Sequence, residues 1–416
     1  MEQVDPHKQA TWEQATEIVG SLEGSSYAEN FQPTYLDQDY LREAVHEVLT
    51  TETVTQPEYV DNLSASLAAI ASGEDRRPVI ITGNCSERVL LDQNLHAPAL
   101  NSLRGLQIVG DTALSHALHI RRERGQNTKP RSEETEIIHP VAEGASEPAE
   151  SPTQIVMSYM GDSINDPDPN RREPDPGRLV AAAVQARDIE EELLVTIGRH
   201  VPAAHEALNL YYERGFLRVD PRTGERYLLS ADLPWIGLRT NQPDSDHVDL
   251  LSQVQNPVGI KLGAETTDEH LKRLVERLNP SRKIGKLVLM PRFGLDFQDR
   301  LPDFMETVRE HASGSLLLYD IHGSTKAKKI TEAGVEKKVK LRYVGDIIEE
   351  IKVLSAAAQA GGLALHGVHL ETTTDDSRLE CIDAPGDLPL HEGGIDPQLN
   401  PRQTKAVLNS VAPYLS

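Results

Sequence analysis

Cysteine is scarce in this 416-residue sequence, with only Cys85 and Cys381 present. A scaffold stapled by disulfides is therefore excluded, and each cysteine reads as a thiol in a chain long enough to bury a core of its own. Long apolar runs are missing too. No stretch approaches the roughly 18 residues that span a bilayer, and MEQVDPHKQATWEQ at the start holds no apolar segment like that of a secretory signal. The expected compartment is the cytoplasm, with no membrane partner. Basic residues are also in deficit: 42 Lys and Arg stand against 65 Asp and Glu, a formal net charge of -23. Nucleic-acid affinity draws on clustered Lys and Arg, so nucleic acid is excluded as a partner, and an anionic substrate would need a local basic pocket. No internal repeat of fixed sequence is present.

What is there is an alternation. Residues 1–75 carry helical patterns, ATWEQATEIVGSLEG, YLREAVHEVLTTE and VDNLSASLAAIASGE, with no strand between them. From Pro78 onward short apolar runs punctuate the chain: PVIIT, LQIVG at 106–110, IVMSY at 155–159, PVGIKLG at 257–263, KLVLMPRFG at 286–294, SLLLYDIHG at 315–323 and ALHGVHLE at 364–371. Between the later ones lie TTDEHLKRLVERLN, LPDFMETVREHA and VGDIIEEIKVLSAAAQA, with apolar residues three and four apart. Strands alternating with such helices predict parallel βαβ units. Two segments rich in Pro and acidic residues, 133–154 and 162–178, are expected to be mobile loops.

Nearly every apolar run ends on a reactive polar side chain. PVIIT leads to Cys85, PVGIK ends in Lys261, KLVLM leads to Arg292, SLLLYD leads to His322 and GVHLE ends in Glu371, with Asp396 following in GGIDPQLN. A (β/α)8 TIM barrel gathers residues from many strand ends at one face, whereas a doubly wound sheet concentrates them at one switch point. The even spread predicts the barrel over residues 76–416, preceded by an N-terminal helical extension over 1–75.

Cys85, His322, Glu371 and Asp396 offer a thiolate, an imidazole and two carboxylates, a mixed set suited to Mn, Co, Fe or Zn. Taken singly, a cysteine is more often a small buried hydrophobe, and an inward histidine more often a satisfied core residue. The basic residues Arg122, Lys129, Arg131, Arg239, Lys261 and Arg292 suit carboxylate and phosphate. Surface solvation is the competing reading for each, and it is preferred for Arg122 in the charged run IRRERG. His369, two residues before Glu371 and so on the same strand face, reads as a rival ligand, a supporting partner or an acid/base.

The motifs GNCSE, GQNTKPRS, SYMGDSIN, HEALNLYYERG, WIGLRT, NPVGIKLG, PRFG, DIHGST, GVHLE and DPQLNPRQT, in this order over about residues 78–412, resemble the class II 3-deoxy-D-arabino-heptulosonate 7-phosphate (DAHP) synthases. These transferases are metal-dependent (β/α)8 barrels that condense phosphoenolpyruvate with erythrose 4-phosphate at the start of the shikimate pathway. The resemblance implies metal ligation by Cys85, His322, Glu371 and Asp396. It also implies phosphoenolpyruvate binding by Arg122, Arg239, Lys261 and Arg292, acceptor binding by Lys129, Arg131 and Ser132, and catalytic roles for Lys261, Arg292 and His322. The expected partners are phosphoenolpyruvate and a phosphosugar aldehyde, in a homo-oligomer.

The chain departs from the family at Asn84, Asn127, Met160, Leu238, Asn241 and Gln398, mostly where the pattern carries a charge. These positions bear on the acceptor more than on the donor, so a different aldehyde, such as an amino-tetrose phosphate, is the alternative acceptor. An inactive barrel kept for binding is the reading from another class. The stretch between SYMGDSIN and HEALNLYYERG lacks the family's inserted helical pair, which implies weak or absent feedback by aromatic amino acids and fits supply of a specialised pathway.

Overall fold

The structure, a computed structural model, describes residues 6–22, 32–84, 96–122, 135–138, 154–157, 159–332, 335–383 and 396–415. Eight parallel strands close into a barrel: β1 (Val79–Gly83), β2 (Leu118–Arg122), β3 (Ala203–Glu206), β4 (Leu233–Ile236), β5 (Val258–Leu262), β6 (Leu287–Pro291), β7 (Leu316–Asp320) and β8 (Gly367–Glu371), with β8 paired back onto β1. The predicted fold class is thus the observed one.

Side-chain alternation divides the barrel into two cores. Val79, Ile81, Ile120, Ala204, Leu233, Trp235, Val288, Met290, Leu316 and Leu318 fill the interior. Their strand neighbours, such as Ile80, Ile260, Leu289 and Leu370, face outward into the shell of helices. The interior needs Gly259 on β5, because a Cβ there would lie 2.6 Å from Trp235 Cβ and 2.7 Å from Met290 Cε.

Among the described residues three helices precede β1: α1 (Pro6–Ser21), α2 (Gln38–Thr50) and α3 (Pro57–Ala71). The last is more than an appendage. Its Leu63, Leu67 and Ile70 are buried with the barrel interior, and Gly285, just ahead of β6, packs against its Leu67–Ala68 backbone. This helix therefore stoppers the barrel at its N-terminal end. The outer helices include α4 (His96–Gly110), α5 (Gly177–Ile197), α6 (Leu210–Gly215), α7 (Asp246–Ser252), α8 (Asp268–Leu278), α9 (Leu301–His311), α10 (Val344–Ala360) and α11 (Pro401–Val411). Among them, α8, α9 and α10 lie where the apolar spacing predicts.

Several expectations about single elements are corrected. LQIVG is the end of α4, not a strand: Leu103, Leu106 and Val109 recur every three residues and continue a helical stripe. Gln154–Met157, which overlaps IVMSY, pairs antiparallel with Thr135–Ile138 in a separate ribbon and takes no part in the barrel. The 133–154 segment, read as loop, therefore has strands at both ends. The 162–178 segment is ordered: buried Asn165 accepts a hydrogen bond from Met160 N at 2.9 Å and donates one to Arg172 O at 2.9 Å, while Arg178 pairs with Asp166 at 2.6 Å.

The strands missed in sequence, β2, β3 and β4, are short; β2 and β3 are interrupted by polar residues, and β4 is the four residues LPWI with a proline inside it. Arg121 and His205 face outward and are buried against Glu190 and Glu213 of the surrounding helices, so charge on the outer face masks the apolar pattern.

Candidate active site and metal centre

Because all eight strands are parallel, their last inward-facing residues meet at one end of the barrel. Gly83 makes the sharp exit from β1. Its φ of 156° and the 2.5 Å that would separate an added Cβ from Arg122 O leave room for no other residue type. Arg122 is the last residue of β2, Lys261 is next to last on β5, Asp320 closes β7, and His369 and Glu371 share the inner face of β8.

Asp320 is the hub. It is fully buried, and its Oδ1 accepts from His322 N at 2.8 Å and from His322 Nδ1 at 2.5 Å. Its Oδ2 faces Lys261 Nζ at 3.4 Å and His369 Nδ1 at 3.3 Å. Burial opposes ionisation of this carboxyl, yet Lys261, His322 and the hydrogen bonds outweigh it and hold the group well below the usual carboxylate range. An ionised Asp320 accepts the His322 Nδ1 proton, so the Nε2 edge of His322 is the one turned to the cavity.

That edge meets two carboxylates. His322 Nε2 is 3.2 Å from Glu371 Oε1 and 3.6 Å from Asp396 Oδ2, and the donor atoms of the three residues lie within 4.8 Å of one another. Glu371 is buried and is also held well below its ordinary range: burial opposes the charge, while His322, Arg122 and Arg342 favour it. Arg122 Nη1 lies 2.8 Å from its Oε1 and Arg342 Nη1 donates to its Oε2 at 2.5 Å. One imidazole and two carboxylates converging in a largely buried pocket fit a borderline divalent cation. The buried Glu371 Oε1, which accepts no well-formed hydrogen bond, points to the same use. Cys85, the fourth expected ligand, and Lys129, Arg131 and Ser132 lie outside the described residues.

The basic residues separate into two settings. Lys261 and Arg122 are buried, with Lys261 Nζ 5.2 Å and Arg122 Cζ 5.5 Å from the Trp235 ring centroid. The solvated reading of Arg122 is thereby corrected: Arg121 takes the outward position and Arg122 the inward one. Arg292, the first residue past β6, is half-buried, and its carbonyl carbon would lie 3.2 Å from a Cβ placed on Gly323, beside His322. Arg239 is exposed on the loop after β4.

His369 is Asp320's partner and no member of the three-residue group. Burial pushes its imidazole down to about 3, so it is neutral and supports the hub through Nδ1.

Sequence reading passed over Asp320, Arg342 and Glu206. Asp320 sits inside the quoted DIHGST, where the histidine drew attention, and Glu206 ends β3 on the inner face in HEALN. Arg342 follows no apolar run, so nothing in the pattern marks it. It is fully buried, donates from Nε to Thr325 Oγ1 at 2.7 Å and from Nη1 to Pro397 O at 2.5 Å, and lies 3.8 Å from Asp396. Arg342 thus ties together the three segments that carry His322, Glu371 and Asp396. Of the departures from the family pattern, Asn241 is buried and donates to Lys261 O at 2.9 Å, and Met160 and Gln398 are buried as well.

Comparison with known proteins gives a consistent picture. A family model described as the Class-II DAHP synthetase family matches residues 23–194 and 190–412. The phospho-2-dehydro-3-deoxyheptonate aldolase of Streptomyces coelicolor is 31% identical, covering 90% of this chain and 92% of the relative. A probable phospho-2-dehydro-3-deoxyheptonate aldolase of Pseudomonas fluorescens is 32% identical over 89% of this chain and 92% of that protein. A solved structure of the phospho-2-dehydro-3-deoxyheptonate aldolase from Francisella tularensis shares the fold at 17% identity, with a TM-score of 0.51 over 89% of this chain and 95% of the other.

Proposed function

The chain belongs to the class-II DAHP synthetase family, a family of transferases, and we propose that it condenses phosphoenolpyruvate with erythrose 4-phosphate to give 3-deoxy-D-arabino-heptulosonate 7-phosphate and inorganic phosphate. The observation that carries this reading is the group of half-buried His322 and buried Glu371 and Asp396 set against Lys261 and Arg122 at the strand ends.

In this reading His322, Glu371, Asp396 and Cys85 hold a divalent ion, Mn, Co, Fe or Zn. When bound, the ion supplies Lewis-acid polarisation of the acceptor's aldehyde. Arg122 and Lys261, backed by Trp235, grip the phosphate and carboxylate of phosphoenolpyruvate together with Arg292, and Arg239 closes from the rim. Lys129, Arg131 and Ser132 serve the acceptor phosphate. Holding the donor so that C3 faces the aldehyde carbon converts an encounter of two solutes into a unimolecular step. The enol π pair forms the C–C bond, the aldehyde oxygen takes a proton, water adds at C2, and the C2–O bond to phosphate breaks to leave the ketone. Asp320 keeps His322 in register throughout.

The test is phosphate release by purified protein. Release should require both substrates, stop with a chelator and return with added Mn or Co. Phosphoenolpyruvate left untouched under these conditions would end the reading. A second acceptor is favoured by one observation: Asn241, where the family carries charge, is buried with its amide committed to Lys261 O. Turnover with an amino-tetrose phosphate but not with erythrose 4-phosphate would select that variant and place the enzyme in specialised metabolism.

A further inference from the structure

Trp235, on the inner face of β4, is buried, and its ring lies 5.2 Å from Lys261 Nζ and 5.5 Å from Arg122 Cζ. Its Nε1 finds no hydrogen-bond partner among the described residues. His369, fully buried on β8, is in a similar position: Nδ1 faces Asp320 Oδ2 at 3.3 Å, while Nε2 finds no partner among the described residues. The two rings meet inside the barrel, with centroids 5.0 Å apart and planes inclined at 57°. Buried polar atoms are as a rule hydrogen-bonded, so two orphans in one place beside the candidate site call for a common partner.

Their chemistry is complementary. An indole N–H can only donate, and its cationic neighbours Lys261 and Arg122 can only donate too, so neither satisfies it. A carboxylate only accepts, so Asp320 takes the proton-bearing side of His369; burial above all, with the charges of Lys261 and Arg122, keeps that ring neutral. Nε2 therefore presents a lone pair. A group that satisfies both atoms must accept from Trp235 and donate to His369. Ionised carboxylate and phosphate oxygens and an aldehyde oxygen only accept, which leaves water and the hydroxyls of the acceptor sugar. We propose that Trp235 Nε1 and His369 Nε2 hold the water that adds at C2 of phosphoenolpyruvate. The inference rests on the synthase reading, in which Lys261 and Arg122 grip phosphoenolpyruvate against this ring. Water is favoured over a sugar hydroxyl because the ring lies against the donor's anchors, and the donor is where water must arrive. With one lone pair engaged by the indole and one proton by His369, the oxygen keeps a lone pair for C2. That pair makes the new C2–O bond as the enol pair makes the C–C bond. One water proton is released, in balance with the proton that the aldehyde oxygen takes up, and the other leaves with phosphate when the C2–O bond to phosphate breaks. His369 stays neutral and orients the water, which turns its addition into a step between held partners. The ordinary alternative is a water that only fills the barrel interior.

Trp12 and Trp235 are the only tryptophans in the chain, so a Trp12→Phe background lets β-(3-benzothienyl)alanine, an isostere with sulfur in place of the N–H, be installed at position 235 alone. In the full-length, Mn-loaded protein this replacement should lower kcat for phosphate release about tenfold, the scale of one hydrogen bond. Phosphoenolpyruvate affinity, measured calorimetrically without acceptor, should stay within twofold. An unchanged kcat would overturn the inference and leave a water that only fills space. A matching loss of phosphoenolpyruvate affinity would overturn it too, by making Trp235 a donor to the substrate itself. Crystals of the wild type with Mn and phosphoenolpyruvate give a second reading that no folding defect can disturb. An ordered water within hydrogen-bond distance of both Trp235 Nε1 and His369 Nε2 is expected, and a substrate oxygen or nothing in that place would overturn the inference, as would a sugar hydroxyl there in crystals with Mn and erythrose 4-phosphate. A wild type that neither binds phosphoenolpyruvate nor releases phosphate would overturn the synthase reading and this inference with it, whereas equal turnover by both proteins overturns the inference alone.

Discussion

Asp320 shows how much of the site hangs on one side chain. Its two oxygens serve four donors: His322 N and Nδ1 on one, Lys261 Nζ and His369 Nδ1 on the other. An asparagine of the same shape keeps one acceptor but turns an NH2 toward Lys261 and His369, or toward His322. Asp320→Asn should therefore lower the affinity for Mn by about 10- to 100-fold, the usual cost of losing a carboxylate behind a ligating histidine. Dye-competition titration reads this directly, and an affinity within threefold of wild type would mean that Asp320 does not orient His322. The sequence displayed Asp320 within DIHGST, yet gave no reason to prefer it over any strand-terminal aspartate. Its importance comes from Lys261 and His369, which arrive from β5 and β8.

At the level of elements, the turn after β7 is clamped from behind by α10. Glu350 on that helix accepts hydrogen bonds from Ser324 Oγ at 2.7 Å and from Tyr319 Oη at 3.1 Å. Burial raises its carboxyl to about 7, offset in part by those hydrogen bonds. A carboxyl whose folded pKa lies above its unfolded one binds its proton more tightly in the native state, so its contribution is fully present below about 4.5 and is lost as pH rises to about 7. The difference of about 2.5 pH units corresponds to roughly 3 kcal/mol at most. Urea unfolding of wild type and Glu350→Gln at pH 5 and pH 8 should show the variant losing about 2 kcal/mol less over that interval. Parallel losses would mean that Glu350 does not titrate here. The elements themselves were unevenly legible. Helices α8, α9 and α10 announce themselves because one face meets the barrel and the other meets water. Strands β2 and β3 do not, because Arg121 and His205 face outward to buried partners and spoil the apolar signature, and β4 is only four residues long with a proline inside it.

Over the whole molecule, the candidate ligands come from segments far apart in the chain: His322 after β7, Glu371 on β8, and Asp396 beyond the end of the barrel sheet. An ion joining them binds the native state and not the unfolded chain, so it should stabilise the entire barrel. At about 100 times the dissociation constant the gain is about 2.7 kcal/mol. Thermal melts of chelated protein before and after addition of Mn should differ by several degrees, and the shift should shrink in Cys85→Ser. A melting temperature indifferent to Mn in wild type would remove the metal centre from the account. The same scale explains the burial of α3. A barrel open at its N-terminal end would expose Val79, Leu316 and their neighbours, and Leu63, Leu67 and Ile70 cover them.

The sequence by itself determined the barrel class, the polar residues at the strand exits and the family, because strand–helix alternation and short motifs are local in the chain and survive without coordinates. Apart from the family resemblance, nothing in its pattern favoured Arg122 over Arg121, since adjacent residues of a strand differ only in which face the sheet turns inward. Nor could it find Arg342, or rank Asp320 above its neighbours. A buried arginine is stable only where carboxylates surround it, and a shared carboxylate matters only where several donors converge. Those neighbours are brought in by closure of the barrel, which is a property of the tertiary structure alone.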